Sequence, residues 1–385
     1  MYFDYASTSP LLDCVKKTLK DNFDNYGNPS NEYNIGVENK KRIDEVREKI
    51  LKRINAEGNI YFTSGGSESN TWAIIGTVLE NDIKAIITSK IEHESVLNAC
   101  DYLTSHGVEV LKIGVDEFGN FDEKEYRTHL KYCKKYGDKV LVSLMLVNNE
   151  LGTIENISYF SKLAHSYGYI FHTDAVQALG HIVIDNEQIC ANLMSFSGHK
   201  IGSPKGIGAL FVDNTVSLTP IIFGGKQEDG IRGGTENILG ILSLGTSIDY
   251  YTNEKITENI GEYNALCRYF KEELTRRKVN YYINNNVFEE QNCPNIVSIT
   301  IPGVYGDSLA AYLEEKYNIQ VGVGSACSYG IDVSHVLKAA KPDETTLYNT
   351  IRVSFGEKTT LKEVKTLAVA ISEGAKFLKK MKKTP

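Results

Sequence analysis

The chain has 385 residues, of which 42 are Lys or Arg and 49 are Asp or Glu, and its formal net charge is −7. This length suits one large and one smaller domain, with a core that can enclose a cleft. The acidic balance disfavours direct nucleic-acid binding. Since no apolar run approaches the roughly 18 residues of a membrane span, we expect no membrane association either.

The seven cysteines are scattered along the chain without CxxC spacing. Such a set is typical of a reducing compartment and argues against a metal cluster. The N-terminus also lacks the charged segment and apolar segment of a secretory signal. The expected location is therefore the cytoplasm.

Short apolar runs alternate with helix-like stretches through the first 250 residues. Strands are predicted at 60–62, 85–87, 108–113, 140–147, 169–171 and 191–194. Helices are predicted at 68–79, 95–105 and 157–167. This alternation predicts an α/β domain with a mostly parallel sheet that helices cover on both faces.

The pattern changes after about residue 245. A long helix is predicted at 249–277, followed by strands at 295–301 and 350–354 and by helices at 307–317 and 361–381. Thr359 or Thr360 is the expected cap of the last helix. We therefore predict a large domain over residues 13–250 and a smaller domain over residues 1–12 and 251–385.

Residues 63–70 (Thr-Ser-Gly-Gly-Ser-Glu-Ser-Asn) form a glycine-rich turn that follows a strand and opens a helix. Free backbone N–H groups and the positive end of the helix can hold an anion such as phosphate there. An equally good interpretation is a plain turn with Ser67 as the N-cap. A nucleotide P-loop is excluded, because its Gly-Lys-Ser/Thr ending is missing.

Polar side chains follow two further predicted strands. His93 comes after the strand at 85–87, and Asp174 comes after the strand at 169–171. Ligands of open α/β sheets bind at such strand ends, although either residue could simply cap a helix. One helical turn would bring Gln177 to the side of Asp174. An acid in that position could keep a heterocyclic nitrogen protonated.

Three other segments carry candidate groups. Lys200 ends the run Ser-Gly-His-Lys at 197–200 and could bond to a carbonyl cofactor if its surroundings lower its pKa. Arg352, in a predicted strand, could hold a carboxylate in bidentate fashion or form an edge-strand ion pair. Cys327 lies in the small-residue run at 323–330, where a thiol is exposed and free to ionise.

Taken together, these motifs resemble those of the cysteine desulfurases, which are pyridoxal phosphate (PLP) enzymes of fold type I in the class-V aminotransferase family. The resemblance extends from residue 4 to the last predicted helix and is closest at 63–70, 147–152, 197–200 and 324–327. It implies a large domain with a mostly parallel mixed sheet and a smaller α+β domain. The segment at 324–327 is typical of the long-loop group. The chain departs from the family pattern at Tyr5, Tyr33, Lys226 and Asp229.

The resemblance also implies a role for each candidate residue. Lys200 would bond covalently to PLP, and His93 would stack on its ring. The residues expected to hold the rest of the cofactor are Asp174 at the ring nitrogen, Gln177 at the ring hydroxyl, Asn149 beside the ring, and Gly66, Ser67, Ser197, His199 and the neighbouring subunit's Thr235 at the phosphate. Arg352 and Asn149 would bind the substrate.

The activity that the resemblance implies is removal of sulfur from L-cysteine, with Lys200, His93 and Cys327 as the catalytic residues. The products would be L-alanine and a persulfide on Cys327. A homodimer would pass this sulfur to an acceptor protein, such as an iron-sulfur scaffold or a tRNA-thiolation enzyme. The alternatives are a selenocysteine lyase, a small-amino-acid aminotransferase, and a non-catalytic scaffold that has lost PLP.

Overall fold

The computed structural model describes residues 1–285, 290–323 and 333–381. Its strands are β1 (Tyr2–Phe3), β2 (Asn59–Thr63), β3 (Ala85–Ser89), β4 (Glu109–Ile113), β5 (Val140–Ser143), β6 (Ile170–Asp174), β7 (Leu193–Ser197), β8 (Gly208–Val212), β9 (Tyr282–Ile283), β10 (Ile296–Thr300), β11 (Gln320–Val321) and β12 (Thr350–Ser354). Its helices are α1 (Asp13–Asp21), α2 (Asn34–Arg53), α3 (Gly66–Glu80), α4 (Glu94–Thr104), α5 (Glu123–Tyr132), α6 (Ile157–His165), α7 (Asn186–Ile189), α8 (Ile238–Tyr250), α9 (Asn253–Arg276), α10 (Gly306–Tyr317), α11 (His335–Ala340), α12 (Glu344–Tyr348) and α13 (Leu361–Met381).

A seven-stranded sheet with the order β2-β8-β7-β6-β5-β3-β4 forms the centre of the fold. β8 runs antiparallel to both of its neighbours, β2 and β7, and the other neighbouring pairs are parallel. Every residue of β3, β5, β7 and β8 is buried, as expected for strands that are covered on both faces. The predicted α/β class with a mostly parallel mixed sheet is confirmed.

Several predicted boundaries were wrong. The strand predicted at 191–194 runs from Leu193 to Ser197, and the one predicted at 169–171 continues to Asp174. The strand predicted at 140–147 ends at Ser143, although Leu144 N and Leu146 N still donate to carbonyl oxygens of the next strand at 3.1 and 2.9 Å. Residues 144–147 remain buried after the strand pairing ends, so the length of the apolar run overestimates the length of the strand. The long helix predicted from residue 249 starts at Asn253, where the Thr252 hydroxyl accepts from Lys255 N.

The remaining strands form two smaller sheets. β10 lies between β12 and β9 in a three-stranded antiparallel sheet, and β1 pairs with β11 in parallel. The first residues therefore pack against the last part of the chain, where the rings of Phe3 and Phe270 both contact Phe355 edge-on. At the final helix, Thr360 and Glu363 form a reciprocal capping box. The predicted division into two domains stays a prediction.

Within the described ranges, no helix is both long and apolar enough to cross a membrane. The same residues contain no cluster of His, Cys, Asp and Glu that could hold a metal ion. The six cysteines that lie in the described part of the chain are free thiols.

Candidate active site

A cavity of about 320 Å³ opens where the parallel strands end. It is bordered by the ends of β3, β5, β6 and β7, by the start of α3, by β12 and by the N-terminal segment. Ten of the predicted site residues line it: Gly66, Ser67, His93, Asn149, Asp174, Gln177, Ser197, His199, Lys200 and Arg352. Residues from position 66 to position 352 thus meet in one place.

Two predicted site residues do not line this cavity in the described structure. Thr235 borders a separate cavity of about 150 Å³, together with Ser64 and Arg232. Its expected role was in the neighbouring subunit, and that role stays a prediction. Cys327 lies outside the described residues.

Lys200 lies in the short turn Gly198–Ile201 that joins β7 to β8. Its Nζ donates to the carbonyl oxygens of Ala6 and Ser7, each at 2.8 Å. Burial, followed by the nearby charge of Arg352, lowers the pKa of Lys200 to about 8. The amine therefore loses its proton far more readily than an exposed lysine, as addition to a carbonyl requires.

Asp174 ends β6, and both of its carboxylate oxygens accept hydrogen bonds. Val176 N donates to Oδ1 at 2.9 Å, and Asn70 Nδ2 donates to Oδ2 at 2.7 Å. One residue beyond Val176, Gln177 donates through Nε2 to the Ala6 carbonyl oxygen at 2.8 Å. Its Oε1 atom is buried and has no partner among the described residues. Asn70 was not predicted as a site residue, although it lies in the glycine-rich motif.

His93 is both the N-cap of α4 and a lining residue of the cavity. Its Nδ1 accepts from Ser95 N at 3.1 Å and lies 2.8 Å from Ser95 Oγ. The two interpretations of His93, a helix cap and a ligand contact, are therefore compatible. Ser95 was not predicted as a site residue.

The start of α3 meets the ends of β7 and β8 at one side of the cavity. The first N–H groups of any helix have no intrahelical acceptor, and here they begin at Gly66. Ser197 Oγ is buried without a partner in the described part of the chain. Burial, followed by the charge of Lys200, lowers the pKa of His199 to about 4, so that ring is neutral. The N-cap of α3 is Gly65, and the alternative that made Ser67 the cap is wrong.

Arg352 is held on three sides. Its Nη2 donates to Asp4 Oδ1 at 2.8 Å and to Ser7 Oγ at 2.6 Å, and its Nη1 donates to the Asn149 carbonyl oxygen at 2.7 Å. Nε is buried and has no partner among the described residues. The guanidinium therefore has a fixed orientation and two N–H donors to spare, one on Nε and one on Nη1, which suits the binding of a carboxylate.

Glu92, which the sequence analysis gave no role, lies buried behind the cavity. Its Oε1 accepts from Ser89 Oγ at 2.6 Å and from Met145 N at 3.1 Å. Burial raises the pKa of Glu92 to about 8, so the group is mainly neutral at pH 7. It joins the end of β3 to the segment that leads to Asn149. No local signal marks a buried acid, because its partners are distant in sequence.

Comparison with known proteins assigns the family. The family model described as aminotransferase class-V matches residues 1–367. The chain belongs to the class-V aminotransferase family. The prediction from the motifs is thereby confirmed at the level of the family.

Three relatives of this member of the class-V aminotransferase family are informative. The cysteine desulfurase IscS of Dictyoglomus turgidum is 38% identical over 372 residues, which are 94% of this chain and 91% of the relative. A solved structure described as a NIFS-like protein has a TM-score of 0.87 at 29% identity and covers 98% of this chain and 99% of its own. SspA, solved in complex with cysteine, has a TM-score of 0.78 at 30% identity, with coverages of 92% and 98%.

Proposed function

We propose that this member of the class-V aminotransferase family is a cysteine desulfurase, which removes the sulfur of L-cysteine and leaves L-alanine. The observation that carries the proposal is the lysine of lowered pKa, Lys200, in one cavity with Asp174 and Arg352. The chain's similarity over 94% of its length to a named cysteine desulfurase supports the same activity. A solved relative in complex with cysteine supports cysteine as the substrate.

The cavity residues fit PLP, the cofactor that we infer from the family. Buried polar atoms normally have hydrogen-bond partners, yet Ser197 Oγ, Gln177 Oε1 and Asn70 Oδ1 have none among the described residues. These residues line the same cavity as the amine of Lys200 and the carboxylate of Asp174. A polar heteroaromatic ligand with a phosphate would satisfy such atoms.

Each part of the cofactor has a candidate partner in this set. We assign the carbonyl carbon to Lys200, the ring nitrogen to Asp174 and the ring hydroxyl to Gln177. The residues assigned to the ring face and to the phosphate are His93, Asn149, Gly66, Ser67, Ser197 and His199. When bound, PLP supplies an electron-accepting ring that acidifies the α-hydrogen of the substrate.

The side chains of the protein bind the substrate and transfer its α-proton. Arg352 binds the substrate carboxylate through the guanidinium donors that its protein contacts leave free and so orients the α-carbon. Lys200, whose pKa of about 8 leaves part of it neutral near pH 7, accepts the α-proton as a general base. The buried, water-poor surroundings of its amine keep that neutral form accessible.

We assign sulfur capture to Cys327, on its sequence alone. As a thiolate it would attack the sulfur of the substrate, so that an S–S bond forms and the C–S bond breaks. The electron pair of the broken bond stays on the substrate carbon, which takes up a proton and becomes the methyl group of alanine, and the α-carbon takes back a proton from Lys200. The persulfide sulfur then passes to an acceptor protein.

The products of the reaction test this function. With L-cysteine and a reducing thiol, we expect alanine and sulfide in equal amounts. A keto acid in place of alanine would identify a transaminase and overturn the proposal. Cys327→Ala should abolish persulfide formation, whereas Cys190→Ala, which alters a partly exposed thiol outside the cavity, should leave the reaction unchanged.

We further propose a cytoplasmic homodimer in which Thr235 serves the neighbouring subunit's phosphate site. Its position outside its own chain's cavity supports this arrangement. Mixed dimers test it. If Thr235 acts across the interface, mixing inactive Lys200→Ala chains with impaired Thr235→Ala chains restores one intact site and raises the activity. Activity that stays low on mixing would place Thr235 in its own chain's site.

A further inference from the structure

The side chains of Asn70 and Ser95 link the acid at the end of β6 to the histidine at the start of α4. Asn70 Nδ2 donates to Asp174 Oδ2 at 2.7 Å and to Ser95 Oγ at 3.0 Å. Ser95 Oγ lies 2.8 Å from His93 Nδ1, and Ser95 N donates to the same Nδ1 at 3.1 Å. The line therefore runs from Asp174 through Asn70 and Ser95 to His93.

The direction of every hydrogen bond in this line follows from the first group. An ionised carboxylate can only accept, so Asp174 fixes the amide of Asn70 with its NH₂ group turned inward. The second N–H of that NH₂ group occupies a lone pair of Ser95 Oγ, and the single hydroxyl hydrogen of Ser95 is then left for His93. The charge of Asp174 thus orients two neutral residues in turn.

The end of the line determines which nitrogen of His93 carries the proton. Nδ1 accepts the backbone N–H of Ser95. It also accepts the hydroxyl hydrogen of Ser95, because Asn70 already donates to the oxygen of that hydroxyl. A nitrogen that accepts cannot also carry a hydrogen in the neutral ring. The proton of neutral His93 is therefore on Nε2, and the ring, which lines the cavity, has a donor at that atom.

We propose that Asn70 and Ser95 are positioning residues that transmit the charge of Asp174 to His93 and hold the His93 proton on Nε2. The proposal rests on the proposed function, because His93 is a cavity residue of that reaction. A ring with a fixed proton at Nε2 can donate to the substrate or to the departing sulfur without first changing its tautomer. Asn70 and Ser95 act through His93 and need not touch the substrate.

Ring-nitrogen NMR of the full-length protein purified with its cofactor tests the linkage without relying on activity. With ¹⁵N-labelled histidine, and with His93 assigned through His93→Gln, we expect an unprotonated Nδ1 and a protonated Nε2. Ser95→Ala removes the hydroxyl donor and leaves the backbone N–H of residue 95 as the donor to Nδ1, so the Nδ1 signal should shift as its hydrogen bonding weakens. Ser95→Thr keeps the hydroxyl and should restore the original signals.

The kinetic result expected for Ser95→Ala is a fall in kcat of about fivefold, as for the loss of one neutral hydrogen bond, with KM unchanged. Asn70→Ala should give the same ring signals as Ser95→Ala. Asn39→Ala is the matched control, because Asn39 is an equally buried amide whose Nδ2 donates to Asn25 and Gly27 away from the cavity. It should alter neither the ring signals nor kcat.

Two outcomes would overturn the linkage. One is a Ser95→Ala protein with the ring signals of the original protein, and the other is an Asn39→Ala protein with the same changes as Ser95→Ala. A failure of the proposed function has a different signature. If the unaltered protein makes no alanine from cysteine, the reaction is wrong, while the ring signals still decide whether Ser95 controls His93.

Discussion

Arg352 and Asp4, which are 348 positions apart in the sequence, are joined by a hydrogen bond of 2.8 Å from Nη2 to Oδ1. This ion pair attaches the N-terminal segment to β12 at the mouth of the cavity. The same segment supplies the carbonyl oxygens of Ala6 and Ser7 that hold the amine of Lys200. The orientation of both cationic groups therefore depends on residues 4–7.

Replacing Arg352 by Lys should raise KM for cysteine more than it lowers kcat. A lysine keeps the charge but loses the planar fork and the spare Nε donor, so we expect kcat/KM to fall about 10- to 100-fold, as for lost charge-assisted hydrogen bonds. Steady-state kinetics measures the change. Arg53→Lys, at a half-buried site outside the cavity, is the control and should stay within about twofold. An unchanged KM would contradict the assigned role.

Lys200→Met should remove a pH-dependent part of the stability of the cofactor-free protein. The pKa of Lys200 is about 8 in the folded chain and about 10.4 in an unfolded one. Between these values the unfolded chain binds more protons, so this group makes the free energy of unfolding rise with pH, by up to about 3 kcal/mol. Urea denaturation at pH 7.5 and pH 10 should show that rise in the original protein and a smaller one in the variant. Equal rises would contradict the lowered pKa.

Glu92 should make the free energy of unfolding fall as the pH rises, and Glu92→Gln should remove that fall. Because the pKa of Glu92 is raised to about 8, its contribution to stability is complete below pH 4.5 and is lost as the pH rises through 8. The variant should therefore gain stability over the original protein between pH 5 and pH 9, by about 4 kcal/mol at the upper end. Glu45→Gln, at an exposed acid 3.9 Å from Lys41, should change by no more than about 0.5 kcal/mol. A constant difference across this range would count against a neutral Glu92.

Glu228→Gln should destabilise the fold. Arg47 donates to both oxygens of this buried carboxylate, at 2.8 and 2.9 Å, and Phe62 N donates to it at 3.0 Å. A glutamine would remove the buried charge partner of the guanidinium, which keeps only the more distant Asp44 at 3.5 Å, and would turn an NH₂ group toward a donor, at a cost of about 3 kcal/mol. The surface pair of Lys49 and Asp249 offers the comparison, since Asp249→Asn should cost less than about 1 kcal/mol. Thermal unfolding of both variants measures the two costs, and an equal loss of stability in Glu228→Gln and Asp249→Asn would contradict the prediction.

Gly208→Ala should disturb the start of α3. A Cβ atom at Gly208 would lie 2.7 Å from backbone atoms of Gly65 and from the Phe196 carbonyl oxygen, so the turn that precedes the helix must move. We expect a loss of about 2 kcal/mol or more in stability and weaker cofactor retention. Gly261→Ala is the matched control, because nothing lies within 4 Å of its Cβ in the interior of α9. It should stabilise the protein by about 0.5–1 kcal/mol.

The sequence predicted those parts of the site that follow a strand directly. His93, Asp174 and Lys200 stand at the ends of β3, β6 and β7 or just beyond them, where an apolar run changes to polar residues. Parallel strands bring such ends together, so the proximity of these three residues follows from the order of the strands. The same reasoning placed Arg352 in a strand but could not supply its partners.

The parts that the sequence missed depend on contacts between distant elements. The bond from Asn70 to Ser95 joins two helices, and Glu92 reaches Met145 behind the sheet. The sequence around a polar residue in an apolar helix does not indicate which distant residue its side chain will contact. β8 was not predicted either, so the antiparallel pairing beside Lys200 became apparent only in the structure.

The position of β8 in the sheet determines the order in which the protein can assemble during synthesis. Among the described residues, β2 has β8 as its only neighbour in that sheet. Ile60, Tyr61 and Phe62 of β2 leave the ribosome long before residues 208–212 are synthesised. Until then an apolar strand edge remains unpaired, which favours aggregation and chaperone binding. The pairing of β1 is delayed further, because its partner β11 lies at residues 320–321. A nascent chain stalled before residue 208 should thus be markedly more chaperone-dependent than one released after residue 212.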